Sequence, residues 1–235
     1  MIINNLRKLS NQIFSLFYPN LCAGCHVDLV RHEKIICLSC WETLPKTNFH
    51  LRETNPVAQK FWGKINIQHA TSFYYFNKEG RLQQILHALK YRKQFDVGIL
   101  LGQKMGVDLL YADWIKNIDL IIPIPLSKEK MRIRGYNQSE SIALGLSAVL
   151  NIPVQTNTVI RVKNTASQTN KNIAERMENV KNAFAVQDAE KLKNKHVLLI
   201  DDVLTTGATL EACARELHTI ENCKISIATI AYAMD

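Results

Sequence analysis

Apolar runs and helical patterns alternate along the second half of this chain. Short continuous apolar runs predict strands, which we expect at 119–124, 158–161, 183–186, 196–200 and 224–231. Between them, apolar residues at helical spacing predict helices at 137–149 and 209–219. Strands that alternate with helices in this way form a parallel-dominated sheet with helices on its faces. The pattern therefore predicts an α/β fold.

The first half of the chain mixes several patterns. A strand is expected at 71–76, and helices are expected at 79–92 and 97–111. Apolar residues between positions 6 and 17 also recur at helical spacing. They predict an amphipathic helix that packs on its own protein, with a peripheral membrane contact as the alternative.

These patterns divide the chain into three predicted parts. Residues 1–45 hold the amino-terminal helix and a cluster of cysteines. Residues 46–70 indicate a linker, because proline, asparagine and charged residues interrupt any periodicity there. Residues 71–235 form the main α/β domain. The total of 235 residues is enough for one ordinary domain and an appendage.

The composition is that of a soluble globular protein. Hydrophobic residues make up 47% of the chain and charged residues 21%. No apolar run approaches the roughly 20 residues that span a bilayer, so we expect no transmembrane segment. Polar residues interrupt the amino-terminal stretch, which therefore does not resemble a signal peptide. We accordingly expect a cytoplasmic protein.

The positive charge of the chain is concentrated near its amino terminus. The formal net charge is +8, and residues 1–93 hold 13 Lys and Arg against five Asp and Glu. The remaining residues hold 16 of each. A localised basic excess suits a polyanionic partner such as nucleic acid. A solvated basic surface is the alternative.

Four cysteines form a metal-binding pattern. They lie in two Cys-x-x-Cys pairs separated by eleven residues, at Cys22, Cys25, Cys37 and Cys40. Two such pairs present four thiolates to one structural Zn²⁺. Disulfides would require an oxidising compartment, and a redox pair would require a surrounding βαβ unit. A region of this size is too short to bury a core, so the metal would supply its folding energy.

The most informative segment is 197–210. An apolar strand ends in two adjacent acids, Asp201 and Asp202, and a loop at 205–209 leads into a helix. Paired carboxylates can accept hydrogen bonds from ribose hydroxyls and can attract Mg²⁺. Gly207 permits a close backbone approach, and the helix amino terminus favours a bound anion. The segment predicts a ribose-phosphate site, and a capped turn without a ligand is the alternative.

Two cationic segments are further candidates for anion binding. The helix at 79–92 ends in a cationic and aromatic tip that suits phosphate or a stacked base. That tip comprises Lys90, Tyr91, Arg92 and Lys93. In the charge-rich segment 128–138, the guanidinium groups of Arg132 and Arg134 match the geometry of phosphate oxygens. Solvated charges are the alternative for both segments.

Together these segments resemble a known family. Residues 197–210 resemble the 5-phosphoribosyl-1-pyrophosphate (PRPP) motif of type I phosphoribosyltransferases. Residues 134–138, Arg-Gly-Tyr-Asn-Gln, are similar to the most diagnostic stretch of the ComF (GntX-like) family. That family joins a small zinc-binding region to a phosphoribosyltransferase-like domain and is linked to DNA uptake in natural transformation. With the cysteine pairs and residues 89–93, the resemblance covers nearly the whole chain.

The resemblance implies a set of site residues and cofactors. Asp201 and Asp202 would hold the ribose hydroxyls, and PRPP would bind together with Mg²⁺. Arg161 and Lys163, which begin a polar segment that resembles a flexible catalytic loop, would join the two acids as catalytic residues. The implied PRPP-binding residues are Pro123, Ile124, Pro125, Leu126, Ser127, Arg132, Arg134, Arg176, Val203, Leu204, Thr205, Thr206, Gly207, Ala208 and Thr209.

Two classes of function follow from these expectations. The first is a phosphoribosyltransferase that transfers the phosphoribosyl group of PRPP to a nucleophile and releases pyrophosphate. The second is a binding module, either a nucleotide sensor or a protein that handles single-stranded DNA together with other competence proteins. The sequence assigns no residue to recognition of an acceptor, so it does not choose between the two.

Overall fold

The computed structural model describes residues 20–91, 94–162 and 183–234. The predicted amino-terminal helix lies outside these residues. Arg92, Lys93, Lys163 and Arg176, which the sequence proposes as site residues, also lie outside them. None of the helices within the described ranges is long and apolar enough to cross a bilayer.

The centre of the fold is a parallel sheet of four strands. Its strands are β1 (Ala70–Phe76), β2 (Leu120–Pro123), β5 (His196–Leu204) and β6 (Lys224–Ala233), in the spatial order β1-β6-β5-β2. All three pairings between neighbours are parallel. The prediction of a parallel-dominated α/β sheet is therefore confirmed.

Helices and short helical turns connect these strands. Within the described ranges, the α-helices are α1 (Leu38–Thr43), α2 (Pro56–Gln59), α3 (Arg81–Tyr91), α4 (Phe95–Leu109), α5 (Lys128–Arg134), α6 (Gln138–Leu150) and α7 (Ala208–Leu217). The same ranges contain three short 3₁₀ turns, at Phe49–Leu51, Asp113–Asn117 and Glu190–Leu192.

The sheet separates two hydrophobic cores. Successive side chains of a strand point to opposite faces, so Leu198 and Ile200 of β5 enter one core while Val197 and Leu199 enter the other. The first core includes α3, α4 and α6, and the second includes α7. Continuous apolar strands are therefore explained by burial on both faces of the sheet.

Two of the predicted strands do not join the central sheet. They form a separate antiparallel pair, β3 (Val159–Arg161) and β4 (Phe184–Val186). The apolar runs identified the strands correctly, but a run of three residues carries no information about its partner. The consequence for the site is that Arg161 is carried by this small pair of strands beside the central sheet.

The charge-rich segment after β2 folds as a helix, which the sequence analysis did not predict. The side chain of Ser127 caps α5 by accepting a hydrogen bond from the backbone N–H of Lys130 at 3.3 Å. Gly135 ends the helix in the left-handed conformation, with φ of 80°. Several cationic side chains of this segment are therefore positioned by one helix of about two turns.

Helices α4 and α6 touch through their backbones. A Cβ atom added to Gly102 would lie 2.0 Å from the carbonyl oxygen of Ile142, and one added to Gly145 would lie 2.0 Å from that of Ile99. Only glycine permits such an approach. The close contact fixes the position of α6, whose first turn reaches the carboxyl end of the sheet.

The cysteine region and the segment after it both pack against the main domain. The guanidinium group of Arg81 donates hydrogen bonds to Ser39 and Thr43, and Ile85 of α3 lies beside Gly24. Phe61, from the predicted linker, is buried in the second core. The domain boundaries at residues 45 and 70 stay a prediction.

Candidate functional site

The candidate site lies at the carboxyl end of the sheet, where β5 extends beyond the end of its neighbour β2. Strand β2 ends at Pro123, which pairs with Ile200. Strand β5 continues to Leu204 and still pairs with β6 there, although the sequence predicted its end at residue 200. A cavity of about 450 Å³ opens in the space beyond β2. Ligands of open parallel sheets bind in crevices of this kind.

Two adjacent carboxylates of β5 line the cavity and have different partners. Asp201 accepts hydrogen bonds from the Ser139 hydroxyl and from the backbone N–H of Asp202, both at 2.9 Å. Asp202 forms an ion pair with the ammonium group of Lys90 on α3, also at 2.9 Å. The two side chains of this pair are only 22% and 13% exposed. Asp202 therefore has a direct cationic partner among the described residues.

The environment of Asp201 favours its protonated form. Burial and then the charge of Asp202 raise the pKa of Asp201 to about 6, against an ordinary value of 3.8. The hydrogen bonds to Asp201 and the more distant charge of Lys90 oppose this shift. A carboxylate that is costly to ionise, in a cleft, is typical of a ligand site rather than of a structural position.

A tight turn follows the acids and leads into α7. Gly207 adopts φ of 80° and forms the amino-terminal cap of the helix. A Cβ atom at this position would also lie 3.1 Å from the ring of Phe61. Thr205 and Thr209, on either side of this glycine, line the cavity. The backbone N–H groups at such a helix start form a suitable cradle for a phosphate group.

Three cations face the acids across the cavity. They are Lys130 and Arg134 of α5 and Arg161 of β3. Burial lowers the pKa of Lys130, and the neighbouring charges of Arg134 and Arg161 lower it further. Burial also lowers the pKa of Arg161, while Asp201 opposes that shift. A bound polyanion would relieve the mutual repulsion of these cations.

The four cysteines form a second centre, which packs beside α3. All four sulfur atoms lie within 4.8 Å of one another, with 3.7 Å between Cys22 and Cys40 and 3.6 Å between Cys25 and Cys37. A tetrahedral zinc with bonds of about 2.3 Å places its sulfurs about 3.8 Å apart. None of the four cysteines forms a disulfide. The cluster fits a structural zinc site.

Backbone N–H groups favour the thiolate form of one cysteine of this cluster, whereas burial raises the pKa of Cys37 and Cys40. The sulfur of Cys22 accepts hydrogen bonds from the backbone of Gly24 at 3.4 Å and of Cys37 at 3.3 Å. Burial acts to raise the pKa of Cys22, but these and further N–H donors outweigh it and lower the pKa to about 6. Thiolate is the form that binds zinc.

Comparison with known proteins identifies the family. Residues 137–235 match the phosphoribosyl transferase domain family. The DNA utilization protein YhgH of Shigella flexneri is 30% identical over 220 residues, which cover 92% of each chain. The chain belongs to the ComF family. Competence protein F of Haemophilus influenzae is 32% identical over 143 residues, which cover 59% of this chain and 62% of the relative.

Solved structures of phosphoribosyltransferases are more distant from this ComF-family chain. The purine phosphoribosyltransferase of Pyrococcus horikoshii is 22% identical and aligns with a TM-score of 0.33. The alignment covers 59% of this chain and 73% of the enzyme. The chemistry of the site therefore rests on its own residues.

Most of the site residues predicted for this ComF-family protein surround one cavity. Those that line it are Lys90, Tyr91, Ile124, Pro125, Leu126, Arg134, Arg161, Asp201, Asp202, Val203, Thr205 and Thr209. Others lie in the same strands, turns and helices without lining the cavity, namely Pro123, Ser127, Arg132, Leu204, Thr206, Gly207 and Ala208. Their roles in binding stay predictions.

Several lining residues were missed by sequence reasoning. They are Phe76, Gln83, Leu86, His87, Lys130, Gln138 and Ser139. The amphipathic pattern of α3 marks Gln83 and His87 as polar-face residues, but it does not say what that face meets. The capping signal of Ser127 would have placed Lys130 in the first turn of a helix.

The zinc assignment predicts the metal content of the protein. Protein purified without chelator should carry one Zn²⁺ per chain by elemental analysis. Replacing Cys40→Ser should abolish the metal and lower the midpoint of thermal unfolding, because the cluster packs into the core beside α3. Cys223→Ser, which alters a buried thiol outside the cluster, is the matched control and should retain the metal. Metal-free wild-type protein would contradict the assignment.

The raised pKa of Asp201 predicts that Asp201→Asn stabilises the fold at neutral pH. The native state binds a proton near pH 6 that the unfolded chain binds only near 3.8. Ionisation of this half-buried carboxyl therefore costs stability above pH 6, and the cost disappears as the pH falls toward 4. Each kcal/mol recovered raises the midpoint of thermal unfolding by about 2–4 °C.

The pH dependence distinguishes removal of the Asp201 charge from an effect of the substitution that is the same at every pH. The advantage of Asp201→Asn over wild type should be present at pH 8 and should shrink by pH 5. Asp113→Asn, which alters a carboxylate that is 99% exposed, should show no such trend. If Asp201→Asn is equally destabilised at both pH values, ionisation of Asp201 does not cost the fold stability.

Proposed function

We propose that the cavity binds PRPP and that the protein transfers its phosphoribosyl group to an acceptor. One observation carries this proposal. A turn suited to a phosphate group, a pair of carboxylates suited to a vicinal diol and a cluster of cations surround a single cavity of about 450 Å³. PRPP has three complementary features, a 5-phosphate, a vicinal diol and a pyrophosphate. Each of these three groups of PRPP therefore has a complementary group of residues in the cavity.

Each part of PRPP has a matching group of residues. The turn from Thr205 to Thr209 receives the 5-phosphate through backbone N–H groups at the start of α7. The carboxylates of Asp201 and Asp202 accept hydrogen bonds from the two ribose hydroxyls. Lys130 and Arg161, which face the acids, neutralise the pyrophosphate.

The residues present also fit Mg²⁺. The carboxylate oxygens of Asp201 and Asp202 are hard ligands of the type that magnesium shares with phosphates. When bound, the ion would supply positive charge that stabilises the departing pyrophosphate. The ammonium group of Lys90 bonds one oxygen of Asp202, so the ion would be held by the remaining carboxylate oxygens.

The transfer itself requires positioning and charge rather than a protein nucleophile. A lone pair of the acceptor forms a bond to C1 of the ribose, and the bond from C1 to the pyrophosphate oxygen breaks. The bonding electrons leave on the pyrophosphate, which takes up the proton released by the acceptor. The acids hold the ribose, on which positive charge develops during the transfer, and the cations stabilise the leaving group.

The biological setting is proposed from the relatives. One carries the name competence protein F and another the name DNA utilization protein. We propose that this chain likewise serves DNA uptake or utilization. The exposed ring of Tyr91, with the Arg134 guanidinium 5.8 Å from its centre, is a surface of the kind that binds single-stranded DNA.

The PRPP proposal predicts separable effects of the acids and the cations. Calorimetric titration of the wild type with PRPP and Mg²⁺ should show saturable binding. The pair Asp201→Asn/Asp202→Asn should abolish it. Arg161→Met should weaken PRPP binding by about tenfold or more, because a hydrogen bond to a charged group contributes ~1.5–3 kcal/mol. The same change should leave ribose 5-phosphate binding within about twofold, since that ligand lacks pyrophosphate.

Two results would contradict the proposal. One is PRPP binding that persists in the double variant, provided that Asp113→Asn behaves as wild type. The other is equal weakening of PRPP and ribose 5-phosphate by Arg161→Met, which would place this arginine away from the pyrophosphate. Thermal unfolding of each variant checks that a loss of binding is not a loss of fold.

A further inference from the structure

None of the three groups of PRPP accounts for the ion pair between Lys90 and Asp202. The ammonium nitrogen of Lys90 lies 2.9 Å from Oδ2 of Asp202, and both residues line the cavity. Their side chains are largely shielded from solvent. The attraction between the two charges is stronger there than at the surface, because water and salt screen it less.

The fold holds Lys90 beside Asp202 by fixing both ends of α3. At the start of the helix, the guanidinium group of Arg81 donates hydrogen bonds to α1. At its end, the hydroxyl of Tyr136 donates a hydrogen bond to the carbonyl of Leu89, the residue before Lys90. The carboxyl end of a helix also favours a cation. The ammonium group is therefore brought to the acid pair by a helix that is anchored at both ends.

A positive charge at this place competes with a divalent cation for the two acids. Mg²⁺ prefers carboxylate oxygens, and one of the oxygens that Asp202 could offer it bonds Lys90. The charge of Lys130 acts on both acids as well, and that of Arg161 acts on Asp201. Cations held by the same carboxylate pair repel each other. The free protein should accordingly bind a divalent ion at these acids only weakly.

A ligand that brings its own negative charge changes this balance. The pyrophosphate of PRPP would offset the repulsion between Lys90 and the magnesium ion proposed above. That ion is therefore expected at the acids together with PRPP, and not in the free protein. Competition from Lys90 and the fit of the acids to Mg²⁺ are in this way compatible.

The same ion pair prepares the acids for a ribose. Two ionised carboxylates side by side repel each other, and burial adds to the cost of their charge. Lys90 supplies positive charge that the pair would otherwise take from a metal. A carboxylate can accept about four hydrogen bonds through its two oxygens, so the bond from Lys90 leaves Asp202 able to accept one from a ribose hydroxyl.

We infer that Lys90 is a built-in counter-ion of the acid pair. It keeps divalent cations off Asp201 and Asp202 in the free protein, and it lets these acids receive a ribose without a metal. The second half of this inference rests on the proposed function, because it needs a ribose at the acids, whereas the first half does not. Lys90 acts through Asp202, so it is a positioning residue and not a catalytic one.

The first measurement is the binding of Mn²⁺ to the free protein, followed by electron paramagnetic resonance. Mn²⁺ suits the same oxygen ligands as Mg²⁺. Lys90→Met should bind one Mn²⁺ about tenfold tighter or more than the wild type, because the change removes a positive charge and frees an oxygen of Asp202. Adding Asp202→Asn to Lys90→Met should remove this gain, which would locate the ion at the acids.

Matched variants separate the charge of Lys90 from its packing. Lys90→Arg keeps a positive charge and should bind Mn²⁺ as weakly as the wild type. Lys46→Met removes a cation from an ion pair with Asp108 outside the cavity and should also behave as the wild type. Thermal unfolding checks that each variant is folded, and Lys90→Gln takes the place of Lys90→Met if the latter is not. Mn²⁺ binding that the loss of Lys90 does not strengthen would overturn the inference.

The second measurement is the binding of ribose 5-phosphate by calorimetry, with and without Mg²⁺. In the wild type the two affinities should agree within about twofold, because Lys90 already supplies the counter-charge. Lys90→Met should bind about tenfold weaker without Mg²⁺ and should regain affinity with it, since the ligand's negative phosphate then meets a more negative cavity. Lys90→Arg should restore binding without the metal.

The outcomes distinguish this inference from the proposed function. If the wild type needs Mg²⁺ to bind ribose 5-phosphate, or if Lys90→Met binds it equally well in both buffers, the ribose half of the inference is overturned. If ribose 5-phosphate binds under neither condition, the proposed function fails and the ribose half fails with it. The Mn²⁺ comparison still decides whether Lys90 keeps divalent cations off the acids.

Discussion

The structure of this site depends on two adjacent carboxylates at the carboxyl end of β5, which the surrounding elements largely shield from solvent. Asp201 and Asp202 cannot both be ionised there without compensation, because burial and mutual repulsion act in the same direction. Compensation comes from three separate elements. Helix α6 supplies the Ser139 hydroxyl, α3 supplies the ammonium group of Lys90, and the strand itself supplies a backbone N–H group.

Each of these partners is positioned by packing elsewhere in the fold. Ser139 reaches Asp201 because α6 is held against α4 at backbone distance through Gly102 and Gly145. The cap of α6, Asn137, also donates a hydrogen bond to the carbonyl of Ile124 at 3.0 Å and so fixes the helix start to the end of β2. The four-cysteine cluster packs against α3, the helix that carries Lys90. The small amino-terminal region therefore supports the site although it lies outside it.

Sequence reasoning found the parts of this site that are continuous in the chain. The strand, the acids and the glycine turn lie within fourteen consecutive residues, 197–210, and their chemistry follows from local rules. The four cysteines were found in the same way. The family resemblance then added Arg161 and the loop after β2, which no local pattern indicates.

The parts that were missed depend on tertiary packing. Ser139 lies 62 residues from its partner Asp201, and nothing in its own helix marks it as a ligand to a carboxylate. Periodicity identifies the polar side of α3 but treats it as solvated, whereas the fold turns it into the wall of a cavity. The pairing of β3 with β4, and hence the place of Arg161, is likewise decided by contacts between distant segments.

The central claim is that the two carboxylates recognise a vicinal diol. The most direct measurement compares the binding of ribose 5-phosphate and 2-deoxyribose 5-phosphate to the wild type by calorimetry. The ligands differ only in the hydroxyl at C2, which would donate a hydrogen bond to one carboxylate. The account predicts that ribose 5-phosphate binds about tenfold tighter or more, since hydrogen bonds to charged groups contribute ~1.5–3 kcal/mol. Equal affinity for the two sugars would contradict it.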